Sequence, residues 1–144
     1  MRPHARFRYR DNLWTGADLL PLGMSSFGHL GGVHLQNDKE IEPYMARVAA
    51  GELPLQRGYV LDAEDRLVRE LCLQLKLGRV RHGYFREKFG VELRTRFAGP
   101  LAGLVEAGLA TVDEEGVTLT REALLRVDGL LPLLPAFYLP RHRT

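Results

Sequence analysis

Cysteine is nearly absent from this 144-residue sequence, which contains only Cys72. One thiol cannot form an intramolecular disulfide or supply the several cysteine ligands of an iron–sulfur cluster or a structural zinc site. Cys72 falls on the apolar face of a predicted helix, so we expect a buried and unreactive thiol. The histidines show no helical ligand spacing, and we therefore predict no metal site.

Long apolar runs and a strong charge imbalance are also lacking. No segment approaches the ~18 consecutive apolar residues of a membrane-spanning helix, and the N-terminus has no apolar region typical of a secretory signal. The formal net charge of +2 is too small to indicate nucleic-acid binding by itself. Hydrophobic residues at 45% and charged residues at 26% are typical of a globular protein. We therefore expect a globular, cytoplasmic protein.

The stretch from Asp18 to Asn37 is the most informative one. An apolar run of leucines leads into small residues and a glycine-punctuated loop. Glycine permits positive φ and a close backbone approach, and serine offers donors without bulk. The pattern indicates either a strand that delivers its last backbone groups to a ligand, or a buried strand followed by an ordinary loop. The small residues are Gly23, Ser25, Ser26, Gly28, Gly31 and Gly32.

The first residues alternate between basic and aromatic side chains. Arg6, Arg8 and Arg10 alternate with Phe7 and Tyr9, which is the period of a strand with one basic and one aromatic face. Such a strand suits nucleic acid or an anionic planar ligand. The alternative is an edge strand whose solvated arginines oppose edge pairing. In either case we expect its neighbouring strands to lie outside this sequence.

The rest of the chain reads as helices and a hairpin. Three helices, a two-stranded wing and a further helix predict a winged-helix-like domain. The first predicted helix is capped by Asn37 or Asp38, carries the apolar residues Ile41, Tyr44, Met45 and Val48 and ends at Gly51, and an extended connector over 52–61 follows it. Next come a helix capped by Asp62 with Asp65 as reciprocal partner, a helix near 82–89, and a segment over 92–107 that is interrupted at Gly99-Pro100. The last predicted elements are a hairpin about D-E-E-G and a helix capped by Thr120, which lies before Pro132, Pro135 and Pro140.

Winged helices often read DNA through the helix that precedes the wing. That helix carries Arg94 and Arg96 beside carboxylates, and the wing residues 113–115 are acidic. Because phosphate would repel an acidic wing, we expect no sequence-specific nucleic-acid binding. A stand-alone winged-helix interaction module is an alternative function.

Four segments together resemble one family. They are the aromatic-basic start, D-L-L-P-L-G-M-S-S-F-G with the following Q-N-D-K-E-I-E-P-Y, L-P-L-Q-R-G-Y-V-L-D-A-E-D-R-L-V-R-E-L, and G-L-A-T-V-D-E-E-G-V-T-L-T. In this order they resemble the C-terminal third of the radical S-adenosylmethionine coproporphyrinogen III oxidase family, over roughly residues 7–138. The resemblance implies an α+β fold. Residues 1–51 would complete a partial (β/α) barrel, 52–61 would connect, and 62–144 would form the winged-helix-like C-terminal domain.

The same resemblance implies a chemistry. Members hold a [4Fe-4S] cluster on a C-x-x-x-C-x-x-C motif, bind S-adenosylmethionine and convert porphyrinogen propionates to vinyl groups. This sequence lacks that motif, so we expect an inactive C-terminal fragment. Its partners would be the missing N-terminal radical S-adenosylmethionine barrel and a porphyrin-type substrate or haem. Haem chaperones and anaerobic haem-degrading enzymes are alternative relatives.

The resemblance also suggests site residues. Arg10 would meet an anionic group, Tyr9 and Phe27 would pack against a ring, and the two serines would donate hydrogen bonds. Two departures stand out: Tyr9 replaces the histidine of the H-N-x-x-Y-W signature of chaperone-like members, and Pro21 replaces the first glycine of a G-x-G motif. The candidate residues next to substrate or S-adenosylmethionine are Tyr9, Arg10, Gly23, Ser25, Ser26 and Phe27.

Residues 62–138 and residues 1–36 differ in how local their predicted contacts are. The former bring their own caps, apolar faces and hairpin, whereas the latter contain strands without partners. We therefore expect the first group to fold independently and the second to depend on other chain segments.

Overall fold

A computed structural model describes residues 7–130, and the chain divides into two compact units after Arg66. The first unit contains α1 (Arg8–Trp14), β1 (Phe27–Leu30), β2 (Val33–Asn37), α2 (Ile41–Ala49) and β3 (Leu55–Val60). The helix α3 (Ala63–Leu75) begins before the division and ends beyond it. The second unit contains β4 (Arg79–Arg81), α4 (His82–Phe89), α5 (Leu93–Arg96), α6 (Ala98–Glu106), β5 (Ala110–Val112), β6 (Gly116–Leu119), α7 (Arg121–Leu125) and α8 (Val127–Leu130).

The N-terminal segment is helical, so the predicted aromatic-basic strand is wrong. Residues Arg8–Trp14 form α1, in which no residue is buried. The Arg10 guanidinium lies 5.5 Å from the centre of the Trp14 ring, and positions four apart meet only in a helix. Period two over five residues was too short a signal to exclude this alternative. Arg6 lies outside the described residues.

The first unit forms its own antiparallel sheet in the order β1-β2-β3. Leu30 pairs with Val33 across Gly31 and Gly32, whose φ angles are +56° and +82°. Positive φ at both central residues defines the tight turn that joins twisted hairpin strands, and glycine favours it. The glycine-punctuated loop is therefore in part a hairpin turn. The expected absence of partner strands for residues 1–36 is also wrong, because β2 pairs with β1.

The segment predicted as an extended connector, residues 52–61, contains a strand of this sheet. Within it, β3 pairs along β2 from Val33↔Val60 to Asn37↔Leu55, with an irregularity at Gln36/Asn37. Pro54 and Gly58 suggested an unpaired segment, but Pro54 precedes the strand, and its carbonyl accepts from Asp38 N at 2.8 Å. Gly58 lies opposite Leu35 in the ladder.

The helix α2 forms as predicted but begins differently. Its N-cap is Glu40, which makes no side-chain capping bond, so the caps predicted at Asn37 and Asp38 are wrong. Both side chains bind other parts of the first unit instead. Gly51, at φ +73°, follows the helix as expected.

Apolar side chains of the first unit are largely exposed. Leu61 is the one buried large apolar residue among residues 7–66, and no residue of α2 is buried. Ile41 and Met45, on the predicted apolar face of α2, are 54% and 56% exposed. Apolar area left in water contributes nothing to folding free energy. Residues 7–66 therefore contain little of the hydrophobic core that normally holds a sheet and helix together.

The second unit has a conventional core. Phe85, Phe97, Leu71 and Leu75 are almost completely buried, with Val80 and Val117 from the sheet between them. The interruption predicted at Gly99-Pro100 occurs instead at Phe97, which separates α5 from α6. Pro100 is the third residue of α6, where a missing N–H costs no intrahelical bond. The three C-terminal prolines lie outside the described residues.

The hairpin predicted about D-E-E-G is β5–β6, and it belongs to a larger sheet. The strand β4, which the sequence analysis missed, pairs with β6 to give the order β4-β6-β5. Gly116 pairs with Arg81, and a Cβ at this position would collide with the carbonyl group of Val80. The order in this unit is α3, β4, the three helices α4, α5 and α6, and then the β5–β6 hairpin. The winged-helix assignment stays a prediction.

Asp62 and Asp65 form a reciprocal capping box at the start of α3, as predicted. Asp65 N–H donates to Asp62 Oδ1 at 2.8 Å, and Asp62 N–H donates to Asp65 Oδ2 at 3.2 Å. At the last predicted helix, Thr120 Oγ1 accepts from Ala123 N at 3.3 Å. Both caps satisfy N–H groups that the first turn of a helix leaves unpaired.

Replacing Asp62 by alanine is expected to lower the free energy of unfolding by about 1 kcal/mol, since it removes an N-cap acceptor. Urea unfolding followed by circular dichroism measures the change. Asp62→Asn is the matched control, because asparagine caps about as well as aspartate. Equal stability of the alanine and asparagine variants would contradict the prediction.

The turn of the β5–β6 hairpin makes stability depend on acid pH. The N–H groups of Gly116 and Glu115 donate to Asp113 Oδ1, each at 2.8 Å. These bonds hold the pKa of the Asp113 carboxyl below its ordinary value of 3.8. The stabilisation is present above that value and is lost as pH falls through the lower, folded-state pKa.

Asp113→Asn is therefore expected to weaken the pH dependence of the unfolding midpoint below about pH 4. Thermal unfolding between neutral and acid pH measures this slope. Glu114→Gln, one residue along the same turn, is the control and should leave the slope nearly unchanged. An unchanged slope in Asp113→Asn would refute the assignment.

Candidate functional site

Four of the predicted site residues lie together in and beside a turn over residues 22–26, the 22–26 turn. Gly23 N–H donates to Tyr44 Oη at 3.1 Å, and Ser25 N–H donates to the Asp38 carbonyl at 2.7 Å. Ser26 Oγ donates to the Leu22 carbonyl at 2.5 Å. The turn is thus fixed to the end of β2 and to α2.

Ser25 has an unusual backbone conformation. Its φ is +59°, and it is the one non-glycine residue with positive φ among residues 7–130. This conformation costs about 1 kcal/mol for a residue with a Cβ. The hydrogen bond from Ser25 N to Asp38 helps to hold it there. Backbone geometry of this kind persists only where its surroundings fix it, as binding turns often require.

A buried polar triplet, Gln36-Asn37-Asp38, lies next to the 22–26 turn and helps to fix its position. Asn37, 2% exposed, donates through Nδ2 to the Pro21 carbonyl at 3.1 Å and the Gly23 carbonyl at 2.9 Å. Asp38 Oδ2 pairs with Arg47 Nε of α2 at 3.1 Å. Gln36 Oε1 accepts from Arg57 Nε of β3 at 2.7 Å. Buried polar groups bonded in this way fix direction as well as position.

Gly28 is required by a close approach next to the turn. Leu19 and His29 exchange backbone hydrogen bonds of 2.6 and 2.8 Å, which bring residues 19–21 against β1. A Cβ at Gly28 would meet the Leu19 carbonyl oxygen at 2.7 Å and would collide with the Pro21 ring. Pro21 is itself buried and packs here. The close approach therefore serves chain packing at Pro21.

One face of the sheet carries rings and a cation. Cross-strand partners point to the same side of a sheet, so Phe27, His34 and Tyr59 share a face with Arg57. The Phe27 and His34 rings are stacked with centroids 5.8 Å apart. Tyr59 Oη donates to Asp65 Oδ2 at 2.9 Å. Exposed stacked rings beside a guanidinium suit a planar anionic ligand.

Tyr9 and Arg10 lie on a separate element, α1. Arg10 is engaged locally, with its Nη2 atom 3.1 Å from Asp11 Oδ1. The Tyr9 ring is exposed and lies 6.1 Å from the Phe7 ring. The structure thus brings Gly23, Ser25, Ser26 and Phe27 together. The contacts given above for Tyr9 and Arg10 are with their sequence neighbours Phe7 and Asp11.

The residues of this chain do not fit an iron–sulfur cluster. Cys72 is half-buried against the core of the second unit, and burial raises the pKa of its thiol to about 11. A thiol of such high pKa is a poor source of the thiolate that iron requires. Among residues 7–130, no three His, Cys, Asp or Glu side chains are grouped as a metal site would need. Within the same residues, no helix is long and apolar enough to cross a membrane.

The sequence analysis missed the residues that hold the site. Asn37 and Asp38 are predicted there only as alternative caps, Gln36 has no predicted role, and Arg57 falls within the predicted connector. Three consecutive polar residues at the end of an apolar strand, followed by a helix with its own start, could have indicated buried hydrogen bonding. Phe27 lies beside the turn because it directly follows the serines, and its role next to a ring stays a prediction.

Asn37→Asp is expected to destabilise the 22–26 turn. A carboxylate cannot donate to the Pro21 and Gly23 carbonyls, and a buried carbonyl left unpaired costs about 1–3 kcal/mol. Hydrogen exchange of residues 19–29 should accelerate at least about tenfold, which corresponds to 1.4 kcal/mol. Ser26→Ala, which removes one bond at a less buried position, is the control and should change exchange less. Equal exchange in both variants would contradict the role of Asn37.

Comparisons with known proteins connect both units to one group of enzymes. Residues 61–126 match the family described as the HemN C-terminal domain. The oxygen-independent coproporphyrinogen III oxidase of Helicobacter pylori (strain ATCC 700392 / 26695) is 31% identical over 104 residues, which cover 69% of this chain and 23% of that protein. The oxidase of the same name from Pseudomonas aeruginosa is 28% identical over 127 residues, 85% of this chain and 27% of the relative.

A solved structure gives the same result for the fold. The structure entitled "Coproporphyrinogen III oxidase (HemN) from Escherichia coli is a Radical SAM enzyme" superimposes with a TM-score of 0.71 at 24% identity, over 94% of this chain and 34% of the other. The chain thus spans about a quarter of the length of the curated relatives it matches. Residues 61–126 thus match the HemN C-terminal domain, and the chain is similar to part of the oxygen-independent coproporphyrinogen III oxidases over both units.

Proposed function

We propose that this chain provides the C-terminal region of a radical S-adenosylmethionine enzyme that acts on a porphyrinogen. The reaction is the oxidative decarboxylation of propionate side chains to vinyl groups. Each propionate loses carbon dioxide, two electrons and one proton. The cluster and S-adenosylmethionine belong to an N-terminal barrel, since Cys72 is unsuited to ligate iron. The compartment that we propose is the cytoplasm.

The exposed apolar surface of the first unit is the observation that carries this proposal. Ile41, Met45 and Val48 form a stripe on α2, and Leu22 and Met24 project from the 22–26 turn. Apolar patches of this kind mark protein interfaces. The chain matches about a quarter of the length of its relatives, and the remaining part of such an enzyme is the partner that we assign to this surface. We refer to Ile41, Met45 and Val48 as the α2 stripe.

The 22–26 turn and the ring-bearing face of the sheet are the proposed contribution to the substrate site. Ser25 and Ser26 directly precede β1, whose first residue is the exposed Phe27. Phe27 and His34 can stack on a tetrapyrrole edge, and Arg57 can pair with a propionate carboxylate. Tyr9 and Arg10 are proposed as more distant contacts from α1.

Two alternatives receive less support. A haem chaperone would use the histidine that Tyr9 replaces. A stand-alone winged-helix module that binds nucleic acid would need a basic wing, whereas the hairpin tip carries Asp113, Glu114 and Glu115. The acidic tip favours the enzyme over the nucleic-acid module.

A chimaera tests the proposal. The Pseudomonas aeruginosa oxidase, with its matching C-terminal segment replaced by this chain, should convert coproporphyrinogen III under anaerobic conditions. Met45→Asp within the chimaera should lower activity at least about tenfold, because a buried unpaired carboxylate at an interface costs several kcal/mol. Product formation is measured by chromatography of the oxidised porphyrins.

Ala46→Asp is the matched control, since it places the same side chain on α2 away from the α2 stripe and should retain activity. A folded chimaera with an intact cluster but no decarboxylation would refute the proposed activity. Equal activity of the two aspartate variants would refute the role of the α2 stripe but would not contradict the proposed activity.

A further inference from the structure

An apolar groove in the second unit lies apart from the site described above. It is lined mainly by α6 and reaches Val112 of β5, the edge strand of the second sheet. The groove has a volume of about 620 Å³, including space open to solvent. Its uncharged lining residues are Ala98, Leu101, Ala102, Val105 and Val112. The groove thus offers an apolar surface along one side of a helix.

The exposed face of α6 lacks the polar side chains that a solvent-facing helix normally carries. Residues 98–105 contain no charged or hydrogen-bonding side chain, although Val105 is 45% exposed. Gly103 lies inside the helix, where glycine is less favourable than alanine. A Cβ at this position would meet no atom of residues 7–130 within 4 Å outside α6. Packing within the described residues therefore does not require this glycine, and a second backbone can approach the helix closely there.

Two opposite charges complete the lining of the groove. They are Arg94 of α5 and Glu106, the last residue of α6, and both side chains are exposed. Neither side chain forms a hydrogen bond or an ion pair with another of residues 7–130. Since α5 leads into α6 at Phe97, the cation precedes the apolar stretch and the anion ends it.

This order of charges is complementary to a second copy of the same groove. If two α6 helices pack antiparallel about a two-fold axis near Ala102, Glu106 of each copy faces the beginning of the other helix, on the side of Arg94. A two-fold axis produces the same contact twice. The C-terminal residues 131–144 fit less well, because they contain no aspartate or glutamate to pair with Arg94. Charge complementarity therefore favours a second copy as the occupant.

We propose that the second unit associates with a second copy of this chain through the α6 groove. Helix α6 of each copy covers Val105 and Val112 of the other. Arg94 pairs with Glu106 of the partner subunit, and this ion pair forms at both ends of the interface. One short helix and one strand edge make a small contact area, which is typical of a transient dimer. We therefore expect a dissociation constant of about 100 µM.

Sedimentation equilibrium of the full chain measures this association. Every sample carries Met45→Asp, which places a charge on the α2 stripe and opposes association through that surface. Arg94→Glu and Glu106→Arg should each weaken self-association at least about tenfold, because each converts two attractive contacts into like-charge contacts. Arg121→Glu, the same change at an exposed site outside the groove, should change the dissociation constant less than about twofold.

An equimolar mixture of the Arg94→Glu and Glu106→Arg chains discriminates most sharply. In a mixed pair the two altered residues face each other at one end and the two original residues at the other, so the affinity should return to within about threefold of the starting value. Misfolded variants would not recover in this way.

Three results would overturn the proposal: no self-association of the starting chain at about 1 mM, equal effects of Arg94→Glu and Arg121→Glu, or a mixture that associates no more tightly than its components. Association that appears only after residues 131–144 are removed would also overturn it, since those residues would then be the occupant of the groove.

Discussion

The carboxamide of Asn37 is the interaction on which the first unit depends. It donates to two carbonyl groups of the chain that crosses over β1, and it does so from a buried position. The backbone of Asp38 then holds Ser25 in its left-handed conformation. A unit with few buried apolar groups gains little from the hydrophobic effect. Directional hydrogen bonds therefore determine its shape, and the placement of Ser25, Ser26 and Phe27 follows from them.

In the second unit, by contrast, the burial of apolar side chains contributes more than directional hydrogen bonds do. Its core is aromatic and aliphatic, and its buried carboxylate, Glu70, is fully engaged. Tyr84 Oη donates to Glu70 Oε2 at 2.6 Å, and Lys88 Nζ donates to Glu70 Oε1 at 2.7 Å. These bonds join α3 to α4. Glu70 is buried whereas Lys88 is partly exposed, so losing either donor would leave the buried carboxylate with one hydrogen bond fewer, which is costly.

Local signals in the sequence predicted much of the fold. The capping box of Asp62 and Asp65, the cap at Thr120 and the turn about Asp113 involve residues within four positions of one another, so the sequence pattern contains the whole interaction. The strand β4 has three residues and gains its pairing from β6, far along the chain. Residues 55–60 likewise became a strand because β2 was available.

The candidate site was predictable only in part for the same reason. Small residues at 23–26 reveal a turn, but the partners of that turn are Asn37, Asp38 and Tyr44, more than ten residues away. In the N-terminal segment, by contrast, the local sequence pattern itself indicated the wrong secondary structure. Five alternating side chains indicated a strand, whereas the contact of Arg10 with Trp14 favours a helical turn.

The α2 stripe also affects how the chain behaves outside an assembly. Side chains such as Ile41 and Met45 exceed half exposure, and water wets such a surface poorly. Two copies can cover these side chains at high concentration, as can any other apolar surface encountered during synthesis. The same residues that suit a large partner thus limit the solubility of the chain without one.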